Sequence, residues 1–390
     1  ILLAITVRMV APYYLEEVPS HGGSFTEAMV GYPRFVNPVL ALSQTDKDLT
    51  RLIFSGLFQV NRNGQITTDL AQSYSANDSA TEYTVLLRPD IAFHDGSSIT
   101  TEDVAYTFSL IRDPVIKSPL FPRLQGVSWE VEDERTIKFT LSGSNPNFLE
   151  ILTVGIVNKE QWKEVSLEEF PFASANINPI GSGPYAIDSI NRDSNQRIQS
   201  YILQSSSDYH TPAYIEEIEA VFYPSQDAAI TAFESGLVDN LANIGPRELL
   251  KLDRALASKE IQSFPLRRSF NLFFNTQNNQ LLEELEVREI IQESIDKEAI
   301  IEQVLLSRAE LATGPLPPTH DSYLPPEKDD SSYDSEEITE AFESAGYTRN
   351  EAGDFVNASS TPLVLSLHTP QSEELETVAE LVAQDLEELG

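Results

Sequence analysis

The sequence predicts an α/β protein with more than one domain. Strand-like alternation and helix-like periodicity follow one another along the chain. Residues 83–87, Tyr-Thr-Val-Leu-Leu, alternate, and Val104, Phe108 and Ile111 then recur at helical spacing. The length, 390 residues, exceeds what one ordinary core holds. Hydrophobic content of 41% and charged content of 22% are those of a soluble globular chain.

Taken in order, residues 16–23 form a polar linker with Pro19 and Gly22-Gly23, and residues 24–30 read as the first strand. Two prolines and a glycine make residues 31–38 an irregular loop. Residues 45–57 read as a helix, because Leu49, Leu52, Ile53 and Phe54 share a face and Gly56 ends it. Asn63-Gly64 marks the turn of a hairpin over 60–71. Tyr74, residues 83–88 and residues 91–93 continue a sheet. Asp95-Gly96 is a turn, and Thr100, three residues before Asp103, opens a helix with a variant of the capping box. Residues 129–141 alternate on both sides of the charged turn 132–135. Residues 148–157 are apolar and lead back to the earlier part of the fold.

Farther on, residues 215–222 read as a strand. Residues 228–236 read as a helix with Ile230 and Phe233 inward and Gly236 as its C-cap. Strand 237–240, helix 247–256 and a dense aromatic strand, 268–275, follow. Helices start at Val287 and Asp296, residues 312–318 form a stiff extended loop, residues 363–367 a strand, and residues 377–389 an amphipathic helix.

Several blocks carry a resemblance. Phe93-His94-Asp95-Gly96-Ser97-Ser98-Ile99-Thr100-Thr101-Glu102-Asp103-Val104 resembles the F-x-D-G-x-x-[LI]-T-x-E-D-V segment of the extracellular solute-binding proteins, family 5, which serve ABC importers. Residues 31–38 resemble that family's G-x-P-x-x-[LF]-[DN]-P loop, and residues 64–71 its G-x-[LI]-x-P-x-L-A hairpin with Thr68 in place of proline. Pro179-Ile180-Gly181-Ser182-Gly183-Pro184-Tyr185 is similar to P-[VI]-G-T-G-P-Y, with Ser182 for threonine. Its two glycines suit close backbone approach and positive φ. Residues 236–239, 287–297, 312–318 and 333–347 match further blocks, although Glu289-Ile290-Ile291 stands where the family prefers small residues.

The resemblance implies a periplasmic-binding-protein-like fold of type II, with two lobes, an extra subdomain in lobe I, and a lobe II that is incomplete in this chain. The expected divisions are 1–22 for the end of an N-terminal anchor and linker, 23–60 and 171–267 for lobe I, 61–170 for its extra subdomain, and 268–390 for lobe II. The implied function is the extracytoplasmic substrate-binding component of an ABC importer. It would capture oligopeptides by hinge closure of its lobes and deliver them to permease subunits, as a monomer without cofactor. Carried over position by position, the ligand-binding residues are Tyr32, Pro33, Arg34 and Phe35 in the first loop, Asn243, Ile244 and Gly245 after the V-D strand, and Arg268, Phe270 and Asn271 at the crossover. Two alternatives stay open: a membrane-tethered sensing or adhesion module of the same fold, and an importer component for a nickel chelate, haem or oligosaccharide.

The composition narrows the partners. Against 61 acidic residues stand 26 basic ones, a net charge of −35, which disfavours nucleic acid and anionic membrane surfaces. With no cysteine there are no disulfides, thiolate nucleophiles or cysteine zinc sites. His21, His94, His210, His320 and His368 are scattered, none paired at metal-ligand spacing, and no G-x-S-x-G occurs. No catalytic or metal site is expected, and His94-Asp95 reads as part of a turn. Gly181-Ser182-Gly183 is not a phosphate loop, because no Lys-Ser/Thr follows and the next residues read as strand. The apolar start, residues 1–15, is interrupted by Arg8 and too short to span a bilayer. It reads as the outer end of an anchor, with Tyr13 and Tyr14 near the interface.

Overall fold

The computed structural model describes residues 20–61, 63–252, 261–262, 269–277, 280–312, 314 and 335–390. The chain divides into two compact units, one ending at Asn243 and the other beginning at Ile244.

The first unit runs β1 (Ser24–Val30), α1 (Gln44–Ile53), β2 (Phe58–Val60), β3 (Ile66–Thr68), β4 (Ala71–Ala76), β5 (Glu82–Leu87), α2 (Thr101–Arg112), β6 (Val127–Val131) and β7 (Thr136–Leu141). It continues with α3 (Lys159–Trp162), β8 (Tyr185–Arg192), β9 (Ile198–Ser205), β10 (Glu217–Tyr223), α4 (Gln226–Glu234) and β11 (Asn240–Leu241).

Two sheets organise it. The five-stranded sheet has the order β11-β1-β10-β9-β8. In it β1 runs parallel to β10, with Val30 opposite Tyr223, and parallel to β11, with Ala28 opposite Leu241. The loops that leave β1, β10 and β11 therefore open at one edge. Helix α4 can lie close to β1 because the facing residues are small: Ala28, Ala229 and Ala232 are buried together with Val238.

The other sheet is antiparallel, β4-β5-β7-β6. Its alternation is the one read from the sequence, with Tyr83, Val85 and Leu87 buried on β5 and Ile137, Phe139 and Leu141 buried on β7. Helix α2 covers this face. Phe108 meets Phe139 edge-on at 5.3 Å, and Phe139 meets Phe148 at 5.5 Å. Each such ring, fully buried, stabilises the fold by about 1.5–3 kcal/mol. At the start of α2, Asp103 Oδ2 accepts from the Thr100 amide at 2.9 Å and from its hydroxyl at 3.0 Å, while Oδ1 accepts from the Lys159 amide at 3.0 Å. The Thr100 hydroxyl thus donates to the carboxylate, and the cap also binds α3.

The sheets share one hydrophobic core, and the second glycine signature sits at their junction. Helix α1 ends at Ile53, before the expected 57, because the Ile53 carbonyl accepts the amides of Ser182 at 3.0 Å and Gly183 at 2.8 Å. Phe54 then turns extended, with φ −120° and ψ 151°. A Cβ on Gly183 would lie 2.6 Å from the Leu52 carbonyl oxygen. Close approach, not positive φ, is what the glycines at 181 and 183 supply. The apolar stretch after β7 does return here: Phe148–Thr153 forms a 3-10 turn, and the Ile156 amide donates to the Ser55 carbonyl at 2.8 Å.

Four expected strands are corrected, the last of them, 363–367, in the second unit. Residues 91–93 do not extend the sheet. They form one arm of a tight turn in which Phe93 donates to Ser97 and Gly96 donates to Phe93. The strand expected over 237–240 begins at Asn240. Before it, Asp239 pairs with Thr26 by side chain and backbone: its Oδ2 accepts the Thr26 amide, and its own amide donates to the Thr26 carbonyl, both at 2.9 Å. Residues 269–275 carry no strand, and Phe273 is 87% exposed. No strand among the described residues pairs with them, and an unpaired strand has no ladder to hold it.

The second unit contains α5 (Pro246–Lys251), α6 (Leu285–Glu293), α7 (Lys297–Gln303), α8 (Ser335–Ser344), β12 (Thr348–Arg349), β13 (Phe355–Val356) and α9 (Glu373–Leu389). Val287, Ile290 and Ile291 on α6 pack with Ile338, Phe342, Tyr347, Phe355 and Leu389. The larger residues at 290 and 291 are therefore core. Residues 363–367 do not form a strand; the neighbouring Pro362 makes one isolated bridge to Val356. The expected anchor, residues 1–15, lies outside the described residues, as do residues 253–256 of the expected helix and most of the 312–318 loop.

Candidate ligand-binding site

In sheets of this kind, ligands bind outside the carboxyl ends of parallel strands. Here that edge belongs to β1, β10 and β11, and the loop 31–38 leaves from its middle. Gly31, at φ +97°, turns the chain off β1 and donates its amide to the Tyr223 carbonyl at 2.8 Å.

The loop is held by buried polar groups. Asp46, on the first turn of α1, is 2% exposed. Its Oδ1 accepts the amides of Arg34 at 2.8 Å and Phe35 at 2.9 Å. The same residue forms a capping box with Ser43, whose hydroxyl accepts the Asp46 amide at 3.0 Å. At the far end, Asn37 donates to the Asn176 side chain at 3.0 Å and accepts the Val39 amide at 2.9 Å. Asn176 in turn donates to the Phe170 carbonyl at 2.6 Å. Local Asx and capping chemistry therefore makes this loop a rigid rim.

On that rim the four expected residues separate. Tyr32 and Arg34 are exposed, Pro33 is buried, and Phe35 packs against the core. The Arg34 guanidinium lies 4.9 Å above the Phe35 ring.

Asn243 joins the same edge. Its backbone is left-handed, φ +57°. Its side-chain Nδ2 donates to Asp48 Oδ2 at 3.2 Å, and its backbone carbonyl accepts from Gln226 Nε2 at 3.4 Å. Helix α1 is thus the common scaffold, with Asp46 fixing residues 34–35 and Asp48 fixing Asn243. Two carboxylates here were not expected from sequence. Asp48 accepts Gln44 Nε2 at 2.7 Å, and burial pushes its carboxyl above the usual range. Glu27 on β1 accepts Asn240 Nδ2 at 2.7 Å, and burial pushes it up too, with a smaller contribution from the Asp48 charge. The sequence signal was faint: Gln44 and Asp48 stand four apart on one helical face.

The remaining expected residues lie in the second unit. Ile244 begins it, and Gly245 is the N-cap of α5, its carbonyl accepting the Leu249 amide at 3.0 Å. Asn271 is exposed and donates to Ser269 Oγ at 2.8 Å; Phe270 is partly buried. Arg268 lies outside the described residues. The structure therefore brings Tyr32, Arg34 and Asn243 together at one edge.

His94 and His21 read as structural. His94 donates through Nε2 to the Gly183 carbonyl at 3.0 Å, and burial holds its pKa below the ordinary value. His21 stacks on Tyr214 at 4.8 Å. Among the described residues, no group of three or more metal-ligating side chains is arranged to hold an ion.

Residues 65–390 match the sequence model of the bacterial extracellular solute-binding proteins, family 5 Middle. The chain belongs to this family. A curated relative, Di/tripeptide-binding protein 1 of Pseudomonas aeruginosa, is 25% identical over 385 residues, covering 92% of this chain and 69% of the relative. Among solved structures, the ABC transporter substrate-binding protein CtaP of Listeria monocytogenes superposes with a TM-score of 0.76 at 24% identity, over 95% of this chain and 72% of that one. The oligopeptide-binding protein AppA of Bacillus subtilis, in complex with a nonapeptide, gives 0.70 at 21% identity, over 96% and 74%. These likenesses show the family 5 fold, with its mixed α/β sheets, in this chain.

Proposed function

We propose that this family 5 protein is the extracytoplasmic substrate-binding component of an ABC importer, that its ligands are short peptides, and that it delivers them to membrane permease subunits. The observation that carries the reading is the rim at the strand ends. A loop pinned by Asp46 and Asn37 presents Tyr32 and Arg34, and Asn243 stands beside it on the same helix scaffold. Rigid, polar, strand-adjacent rims suit main-chain recognition of extended peptides. A curated relative named for di- and tripeptides, aligned along most of the chain, supports this choice of ligand. The protein binds rather than catalyses in this reading, works as a monomer, and is tethered by an anchor near residues 1–15. Among the described residues no helix is long and apolar enough to cross a membrane.

Native mass spectrometry of the full-length protein, purified without refolding, tests the reading. Release of a mixed set of short peptides is the expected result. A single non-peptide mass, such as a nickel chelate, haem or an oligosaccharide, would replace the ligand. An empty protein whose melting temperature is unmoved by peptide mixtures would favour a sensing or adhesion module, since a ligand that binds only the folded state must stabilise it.

A further inference from the structure

We propose that Arg34 is the carboxylate receptor of this binding site, and that the ligand class is therefore a peptide carrying a carboxylate there. The proposal rests on the peptide reading above and deepens it.

The chain carries a net charge of −35, a field that repels anions, so an anionic ligand group needs a local cation to receive it. Most described arginines are already engaged. Arg88 donates to the Asp69 carbonyl at 2.7 Å, Arg112 to Val127 at 3.1 Å, Arg135 to Leu87 at 2.7 Å, and Arg197 pairs with Asp193 at 3.0 Å. The Arg34 guanidinium has no hydrogen-bond or carboxylate partner among the described residues. Its contact is the face of Phe35, at 4.9 Å.

That contact orders the group without consuming its donors. A contact with a ring face uses none of the N–H donors, and a guanidinium fork with its donors free matches a carboxylate in bidentate fashion. The backbone beneath is also fixed, because Asp46 Oδ1 holds the amides of both Arg34 and Phe35. The group stands at the strand ends, beside the edge that Asn243 completes. Arg123 offers the contrast. Its guanidinium too has no polar partner among the described residues, but it lies on the 3-10 turn Phe121–Leu124, in the part of the chain that follows α2.

The shared chemistry is a carboxylate, which a peptide supplies either at its C-terminus or in an acidic side chain. Calorimetry with three probes separates these sources: tri-alanine, tri-alanine amide, and Ala-Glu-Ala amide. In the wild type, the amide of tri-alanine should bind about tenfold to a hundredfold more weakly than the free acid if the C-terminus is the source. If the side chain is the source, Ala-Glu-Ala amide should gain by a similar factor over tri-alanine amide. In either case Arg34→Ala should abolish that preference, weakening the carboxylate-bearing probe far more than tri-alanine amide. Arg34→Lys, which keeps the charge but not the fork, should recover only part of it, and Arg123→Ala should behave as wild type. Wild-type peptide binding that Arg34→Ala does not alter, or alters equally for acids and amides, overturns the inference and leaves the peptide reading standing. Failure of the wild type to bind any of the three probes overturns both.

Discussion

His94 donates from Nε2 to the carbonyl oxygen of Gly183 over 3.0 Å, and the Gly183 amide donates onward to the carbonyl of Ile53 at the end of α1. Three segments distant in sequence are thereby joined. Burial lowers the His94 pKa and keeps the ring neutral, the state in which Nε2 carries a single proton for the carbonyl.

His94→Ala should therefore leave a buried carbonyl without its donor and cost about 1–3 kcal/mol. The sign of the pH effect is also set. A histidine whose folded pKa is depressed contributes stability that is present above its unfolded pKa and lost as pH falls through the folded one. Urea titrations at pH 7.5 and at pH 5 should show the wild type losing this contribution in acid, and His94→Ala should not show that loss.

Asp69 behaves in the opposite sense. It is 3% exposed, accepts the Tyr209 hydroxyl at 3.2 Å, and burial pushes its carboxyl up to about 6. His210 Nε2 lies 3.5 Å away, beyond good hydrogen-bond range, and burial lowers the pKa of that imidazole. The pair is thus not a salt bridge at neutral pH. The stability linked to Asp69 is fully present below its unfolded pKa and lost as pH rises through about 6. Asp69→Asn should stabilise the protein by on the order of 2 kcal/mol at pH 7.5 and by little at pH 4. Equal effects at the two pH values would refute this account.

Gly183→Ala should destabilise strongly, because its Cβ would meet the Leu52 carbonyl oxygen at 2.6 Å and the Phe54 amide nitrogen at 2.7 Å. Backbone atoms cannot step aside as a side-chain tip can, so a cost of about 1–3 kcal/mol or more is expected. Gly143, whose added Cβ would meet nothing within 4 Å, supplies the control: Gly143→Ala should be close to neutral in thermal melts.

Asp46→Ala removes a helix cap and both amide bonds of the rim at once. A loss of about 2 kcal/mol in stability is expected from the cap and the stranded amides together. Peptide affinity should fall as well, through slackening of the loop that carries Tyr32 and Arg34. Unchanged calorimetric affinity in a folded variant would show that the rim does not depend on this carboxylate.

Salt should stabilise the protein. Ion pairs such as Lys159–Glu102, at 3.1 Å, are exposed, and a net charge of −35 repels itself. Screening shortens from about 10 Å at 0.1 M to about 3 Å at 1 M. The melting temperature should climb between these concentrations in sodium chloride. A flat or falling profile would mean that self-repulsion is unimportant here.

The sequence by itself determined what depends on near neighbours. The alternation of 83–87 and 137–141, the start of α2 at Thr100 and the turns at Asn63-Gly64 and Asp95-Gly96 all follow from periodicity, capping and backbone freedom over a few residues. Only the tertiary structure decided what depends on partners far along the chain. Helix α1 stops at Ile53 because residues 182 and 183 claim its last carbonyl. Residues 269–275 looked like a strand but have no neighbour to pair with among the described residues. Of four candidate rim residues, Tyr32 and Arg34 face outward and Pro33 and Phe35 pack inward, a choice made by the carboxylate of Asp46. Asn243 reaches the rim through Asp48, 195 residues earlier. A hydrogen bond across that separation exists only once β1 and β11 lie side by side, and no local pattern records it.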